Sequence, residues 1–268
     1  MFVLVPLAIG IYYSLHRADF FRVTAFRGLQ NYWQVIQSPA VVESLAVTAI
    51  FSLSSLFLTF VVGFSLALFL ERDSRVHVFV RTVILLPYII SMLVGSMLLK
   101  WLFSQDGGLL QLVLGPLGLG QVPILGDPNG AMAALVFNAV WHDSAFAMIL
   151  LMAGLKGIPA QLYAAARVDG ANAFLRFRRI TLPLMQVPIV ITLIRLLIHF
   201  VNVLTFPLIL TGGGPDNATQ TMGLTLYRMG FVDYRIGQAN ALAMLVFIFN
   251  VTLILLLAGM FRGRLTTR

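Results

Sequence analysis

The sequence predicts an all-α integral membrane protein with about six transmembrane helices, and three observations carry that expectation. Apolar residues fill 59% of the 268 positions and charged residues only 10%, for a mean hydropathy of +0.93. A soluble domain of this length needs a far more polar surface. The apolar residues are gathered into runs that reach the roughly 20 residues a bilayer span requires. The basic residues are unevenly shared between the connections, as the positive-inside rule leads one to expect of a membrane protein.

Composition also excludes several chemistries. There is no cysteine, so disulfides, iron–sulfur clusters and thiolate catalysis are ruled out. Four histidines without metal-ligand spacing argue against a metal centre. No small-residue cleavage site follows the first apolar run, so it does not read as a cleavable signal peptide.

Residues 1–15 are apolar but short for a span, so either the helix starts shallow or the natural N-terminus starts earlier, and the second is the expectation. A polar, Arg-bearing segment follows over 16–39. The second span is 43–70, closed by Glu71-Arg72-Asp73-Ser74-Arg75. The third is 78–103, with a tolerated kink at Pro87. Residues 104–130 are rich in Gly and Pro and carry Asp106 and Asp127 but no Lys or Arg. The fourth span is 131–154, the fifth 184–210 and the sixth 238–261, with a polar loop over 211–237. No internal repeat of the kind found in secondary transporters is evident.

On one side of this arrangement lie Arg72, Arg75, Arg81, Lys156, Arg167, Arg176, Arg178, Arg179, Arg262, Arg264 and Arg268. On the other lie Arg17, Arg22, Arg27, Arg228 and Arg235, with Lys100 near the boundary. The larger set marks the cytoplasmic side and places both termini inside, although the cluster at 17–27 pulls mildly the other way.

The connection 155–183, between the fourth and fifth spans, is the most basic stretch of the chain. Pro159 suits a first helical turn and 160–167 are strong helix formers. Asp169-Gly170 ends that helix, with Gly170 free to take a left-handed cap. Asn172 can cap a second short helix whose Phe174, Phe177 and Ile180 fall three apart. The product is a helix–turn–helix knob with one apolar edge, outside the membrane.

The knob resembles the "EAA" loop of binding-protein-dependent ABC importer permeases, in their carbohydrate-uptake, maltose-permease-like branch. The matching residues are Ala164-Ala165-Ala166, Asp169-Gly170-Ala171, Phe177 and Ile180-Thr181-Leu182-Pro183. The family's first Glu is Ala164 here, which puts its contact with a basic ATPase residue in doubt. A second match, Thr211-Gly212-Gly213-Gly214-Pro215 with Thr219 and Thr221, is similar to the TGGGP segment of the same branch. The resemblance covers the chain beyond the first helix as one permease domain, 1–268. It implies a type I ABC importer bundle in a bacterial or archaeal cytoplasmic membrane. It further implies a second, different permease chain, two ATP-binding-cassette subunits and an extracytoplasmic solute-binding protein as partners, and no nucleic acid. ATP and magnesium then belong to the ATPase subunits, in keeping with the absence of a Walker-type phosphate loop in this chain. The coupling contact is expected at Ala164, Ala165, Ala166, Arg167, Asp169, Gly170, Ala171 and Phe177.

Three further groups stand out. Arg195, His199 and Asn202 share a face in the middle of the fifth span. Ionisable groups at that depth cost about 2.5–3.5 kcal/mol on insertion scales and face protein or water. Either they bond to another helix or they line a solute pathway, where Arg195 leaves a phosphate- or acid-bearing solute open. Asn138, Trp141, His142 and Asp143 cluster in the fourth span. No nucleophile or second carboxylate accompanies them, so Asn138 and Asp143 read as pathway or pairing groups rather than catalysts. Gly213, Gly214 and Pro215 read as a flexible external turn able to touch the binding protein.

The expectation is therefore a non-enzymatic translocation subunit for a carbohydrate or related polar solute. A self-sufficient secondary transporter or channel is the alternative. It predicts intramembrane carboxylates for ion coupling, and the spans offer almost none beyond Asp143.

Overall fold

The computed structural model describes residues 2, 4–20, 22–105, 108–114 and 123–265. Asp106, residues 115–122 and Arg268 lie outside them, and of Arg262 and Arg264 only the backbone is described. The chain begins with α1 (Leu4–Ser14), an antiparallel hairpin of β1 (His16–Asp19) and β2 (Arg22–Phe26), and α2 (Gln30–Ile36). The sequence reading gives 16–39 only as a polar segment, because tertiary contacts make this hairpin. Asn31 Nδ2 donates to the Ser14 and His16 carbonyls at 2.8 Å each, and Phe20 N–H donates to the Tyr234 carbonyl at 3.1 Å. A Cβ on Gly237 would stand 2.5 Å from the His16 carbonyl, so glycine is what lets the hairpin reach the last helix.

Helix α3 (Pro39–Phe69) starts with Pro39 in its first turn, where the missing N–H costs nothing. Its buried positions include Ser44, Thr48, Ser52, Ser55, Thr59, Gly63 and Ala67, a small-residue stripe at helical spacing. Small residues let membrane helices approach closely. The approach is tightest at Gly63, where a Cβ would meet that of Ala147 at 2.6 Å.

After α4 (Arg75–Ile89), α5 (Met92–Leu102) and α6 (Leu109–Leu114) comes α7 (Pro128–Lys156), capped by Asp127, which accepts from Gly130 N–H at 2.7 Å. The knob carries α8 (Ala160–Val168), α9 (Ala173–Arg176), a π turn over Phe177–Thr181 and α10 (Leu182–Leu184). Then come α11 (Gln186–Asn202), α12 (Thr205–Leu210), α13 (Met222–Tyr227) and, after a π turn over Arg228–Val232, α14 (Ile236–Leu265).

Among the described residues three unbroken helices are long and apolar enough to cross a membrane: α3, α7 and α14. Their apolar windows are 28%, 61% and 17% buried, so α7 is the central helix and α14 lies at the rim. The expected third span is not one kinked helix: α4 and α5 meet at 94°, with Ile90 extended between them. The expected fifth span also breaks. Its approach through α9–α10 meets α11 at 66°, and Val203 is extended between α11 and α12. Both breaks fall inside long apolar runs, so mean hydropathy does not mark them, although Pro87 and Ser91 stand beside the first and Asn202 and Thr205 beside the second. At the second, Gly223 of α13 packs against the freed end: a Cβ there would lie 3.1 Å from the Val203 carbonyl. Irregular backbone at membrane depth is tolerated where protein buries it or a cavity runs beside it.

One core knits α3, α5, α7, α11 and α12 through Phe51, Leu99, Leu135, Leu196, Phe200 and Phe206. A second core lies under the knob, where Leu70, Met148, Leu151, Leu155 and Met185 meet.

Candidate functional site

The knob is built as its sequence predicts. Gly170 has φ +74, and the cap around it is a Schellman motif: Ala171 N–H donates to the Ala166 carbonyl at 2.9 Å and Gly170 N–H to that of Arg167 at 3.1 Å. Asn172 caps α9, accepting from Leu175 N–H at 2.8 Å. Arg176 donates to the Ala171 carbonyl at 2.9 Å, and the Tyr163 and Thr181 hydroxyls share a bond of 2.9 Å across the two arms. Ala164, Ala165, Arg167, Asp169 and Gly170 are exposed, and Ala166 and Ala171 are half-buried. Val168 and Phe174 stand out at 88% and 70% exposure, so the apolar edge runs through them. Phe177, expected on that edge, turns inward and packs near Phe64 of α3, ring centres 6.1 Å apart. The four-residue α9 and the π turn that follows re-aim it.

A charged junction ties the knob to the bundle. Asp73, in the α3–α4 connection, accepts from Lys156 Nζ at 3.0 Å and from Arg81 Nη1 at 2.9 Å. Arg81 also donates to the carbonyls of Leu70 and Arg72 at the end of α3. Its hydrogen bond to Lys156 first, and to Arg81 second, holds the Asp73 carboxyl below its ordinary value. The sequence reading uses Arg81 and Lys156 to set orientation and Asp73 only within the charged stretch that closes the second span.

Arg195, His199 and Asn202 do come together. With Asn250, Thr205 and Met92 they line an open cavity of about 520 Å³ beside the α11–α12 break. Asn202 and Asn250 exchange hydrogen bonds at 3.3 and 2.9 Å, joining α11 to α14. Asn250 went unremarked in the sequence, although a lone amide inside an apolar run was a signal. Arg195 has its guanidinium 4.8 Å from the centre of the Phe146 ring. Asp143 is buried on α7, its Oδ2 3.5 Å from His142 Nδ1 and 3.4 Å from His199 Nε2. These are ion-pair distances without the alignment of hydrogen bonds. Asn138 stays out of the cavity: it is buried and donates to Ser96 of α5 at 2.8 Å.

The 211–221 loop is closed on itself by internal contacts. Gly213 is buried with φ +91, and a Cβ there would meet Leu224 at 3.0 Å. Gly214 and Pro215 are half-buried and joined by a cis peptide bond. Thr219 bonds Thr211 at 2.7 Å and donates to the Gly214 carbonyl at 2.8 Å, while Arg228 reaches Gln220 and the Gly212 carbonyl from within. Only Asp216 and Asn217 at its tip are exposed. Thr221 and Thr48 satisfy the first amides of α13.

With this geometry in place, the comparison with known families is direct. Residues 59–268 match the family described as "Binding-protein-dependent transport system inner membrane component". The chain belongs to this family. The permease is 34% identical over 266 residues to the trehalose/maltose transport system permease protein MalF of Thermococcus litoralis, covering 98% of this chain and 90% of that one. It is also 34% identical to the sn-glycerol-3-phosphate transport system permease protein UgpA of Agrobacterium fabrum, covering 92% and 85%. Its fold is similar to that of a chain in a bacterial ABC transporter that imports the acidic polysaccharide alginate, with a TM-score of 0.87 at 23% identity over 100% and 91% of the two chains. The permease is thus a multi-pass membrane subunit of an ABC import system, and its type I bundle is the expected one.

Proposed function

We propose that this permease forms, with a second and different permease chain, the path by which a carbohydrate or related polar solute enters the cell. Two ATP-binding-cassette subunits engage the two knobs from the cytoplasm, where both termini lie, and carry the ATP and magnesium. An external binding protein delivers the solute at the tip of the 211–221 loop, and Arg195, His199 and Asn202 line its path inward. The chain itself performs no catalysis.

The observation that carries this reading is the knob, an exposed surface bearing Val168, Phe174 and Arg167, with Lys156 at its base paired to Asp73 of the α3–α4 connection. An exposed apolar edge on such an element suits insertion into a partner's groove. The matched relatives, named as trehalose/maltose and glycerol-phosphate permeases, support the solute class. Purified alone, the chain should neither bind nor hydrolyse ATP. Reconstituted with its partners it should support ATP hydrolysis that rises when solute-loaded binding protein is added. Solute uptake into liposomes by this chain alone would overturn the proposal in favour of a self-sufficient transporter.

A further inference from the structure

We infer that the cavity beside the α11–α12 break takes an anionic group of the solute, a phosphate, sulfonate or carboxylate, on the guanidinium of Arg195; this rests on the permease reading above. Arg195 offers five N–H donors and a permanent charge. Among the described residues it makes no hydrogen bond or ion pair, and its one contact of note is the face of Phe146. A ring face attracts the cation yet accepts at most weakly from its N–H groups, so the donors remain available.

The neighbouring carboxylate makes no ion pair with that charge. Asp143 Oδ2 instead lies 3.5 Å from His142 Nδ1 and 3.4 Å from His199 Nε2. No carboxylate lines the cavity, whose other polar side chains are His199, Asn202, Thr205 and Asn250. The two Asn amides are turned to each other, and all of these groups are neutral or basic. A positive charge held at membrane depth is costly unless an anion or water meets it. A hydroxyl could accept from Arg195 without neutralising it, whereas an anion with two or three oxygens does both through a bidentate pair. Thr205, beside the paired amides, is then left for a hydroxyl of the same solute.

The test uses the complete importer, purified with its partner permease and ATPase subunits in nanodiscs, without the binding protein so that its own selectivity does not intervene. Protection against thermal unfolding is measured with probes matched except for charge, glucuronate and glucose 6-phosphate against glucose, at constant ionic strength. The wild type should be protected by the charged probes at concentrations at least about tenfold lower than by glucose. Arg195→Gln should abolish that difference, and Arg195→Lys should keep part of it. Equal protection of the wild type by charged and neutral probes overturns the inference, as does a difference that survives in Arg195→Gln. If Arg195→Gln fails to assemble, the wild-type comparison decides alone. ATP hydrolysis stimulated equally by a neutral solute in wild type and Arg195→Gln also overturns it, and leaves the permease reading standing. A wild-type complex whose ATP hydrolysis no solute-loaded binding protein stimulates would instead strike the permease reading.

Discussion

In the knob, backbone and polar side chains find partners within about one helical hairpin of sequence. Gly170, Ala171 and Leu175 donate locally, and Tyr163 meets Thr181 across the turn. In the cavity the relation is reversed. Its polar groups come from α11, α12 and α14, with Asp143 of α7 behind them, and Arg195 is left with a ring face as its chief neighbour. A self-contained unit can move as a body and keep its shape. A group of incompletely satisfied residues at membrane depth is stable only because something else completes it. On the proposed function, the difference separates a part that transmits from a part that receives.

The largest expected effect breaks the knob. Gly170→Val puts a β-branched residue at φ +74, a conformation that costs it about 1–3 kcal/mol even though nothing crowds the site. The Schellman cap opens and α8 and α9 lose their fixed angle. Membrane insertion should be normal while solute-stimulated ATP hydrolysis in the full complex falls by about tenfold or more. Full transport would show that the knob is only a tether. Gly170→Ala should be intermediate.

A smaller effect sharpens the cavity side. Asn250→Leu removes one half of the amide pair and leaves Asn202 facing an apolar group. Interhelical hydrogen bonds in membranes average about 0.6 kcal/mol, so assembly should persist. The solute concentration giving half-maximal ATPase stimulation should rise two- to threefold, an order-of-magnitude figure consistent with that energy. An unchanged value would mean that the pair serves packing alone.

The smallest effect concerns the junction between the two regions. Because the Asp73 carboxyl sits below its ordinary value, its pairing is fully present above the unfolded-state value and is lost as pH falls through the lowered one. Asp73 is exposed, so salt screens the pair. Coupling should weaken as the medium is acidified below the ordinary carboxylate range, and Asp73→Asn should flatten that part of the profile. Wild type and variant with the same acid limb would remove Asp73 from the account.

These contrasts also explain what could be read from the chain. The knob was legible because Pro159, Gly170 and Asn172 signal its local geometry through backbone preferences that act over four or five residues. The long helices α3, α7 and α14 were legible because their runs exceed the bilayer thickness. The breaks at Ile90 and Val203 were not, since both fall inside long apolar runs and tertiary contacts decide them. Arg195, His199 and Asn202 could be placed on one face by helical spacing, but Asn250 joins them only after α11 and α14 are packed. Asn138 shares the fourth helix with Asp143 yet meets Ser96 instead, a choice that only the position of α5 makes. Gly213 looked mobile because glycine permits motion, whereas here it gives Leu224 and Arg228 room to close the loop.

The interruption of α11 at Val203 has an electrical side. A helix that stops there leaves its last carbonyls without their usual amide partners, and aligned peptide dipoles place partial negative charge at that end. Asn202 Nδ2 takes the Ile198 carbonyl, and residues 203 and 204 line the cavity next to it. A cation two turns back on the same helix and a negative pole at its tip therefore border one small space. Such a gradient orients any dipolar molecule that enters, acceptor groups toward Arg195 and donor groups toward the broken end, before any side chain has to move.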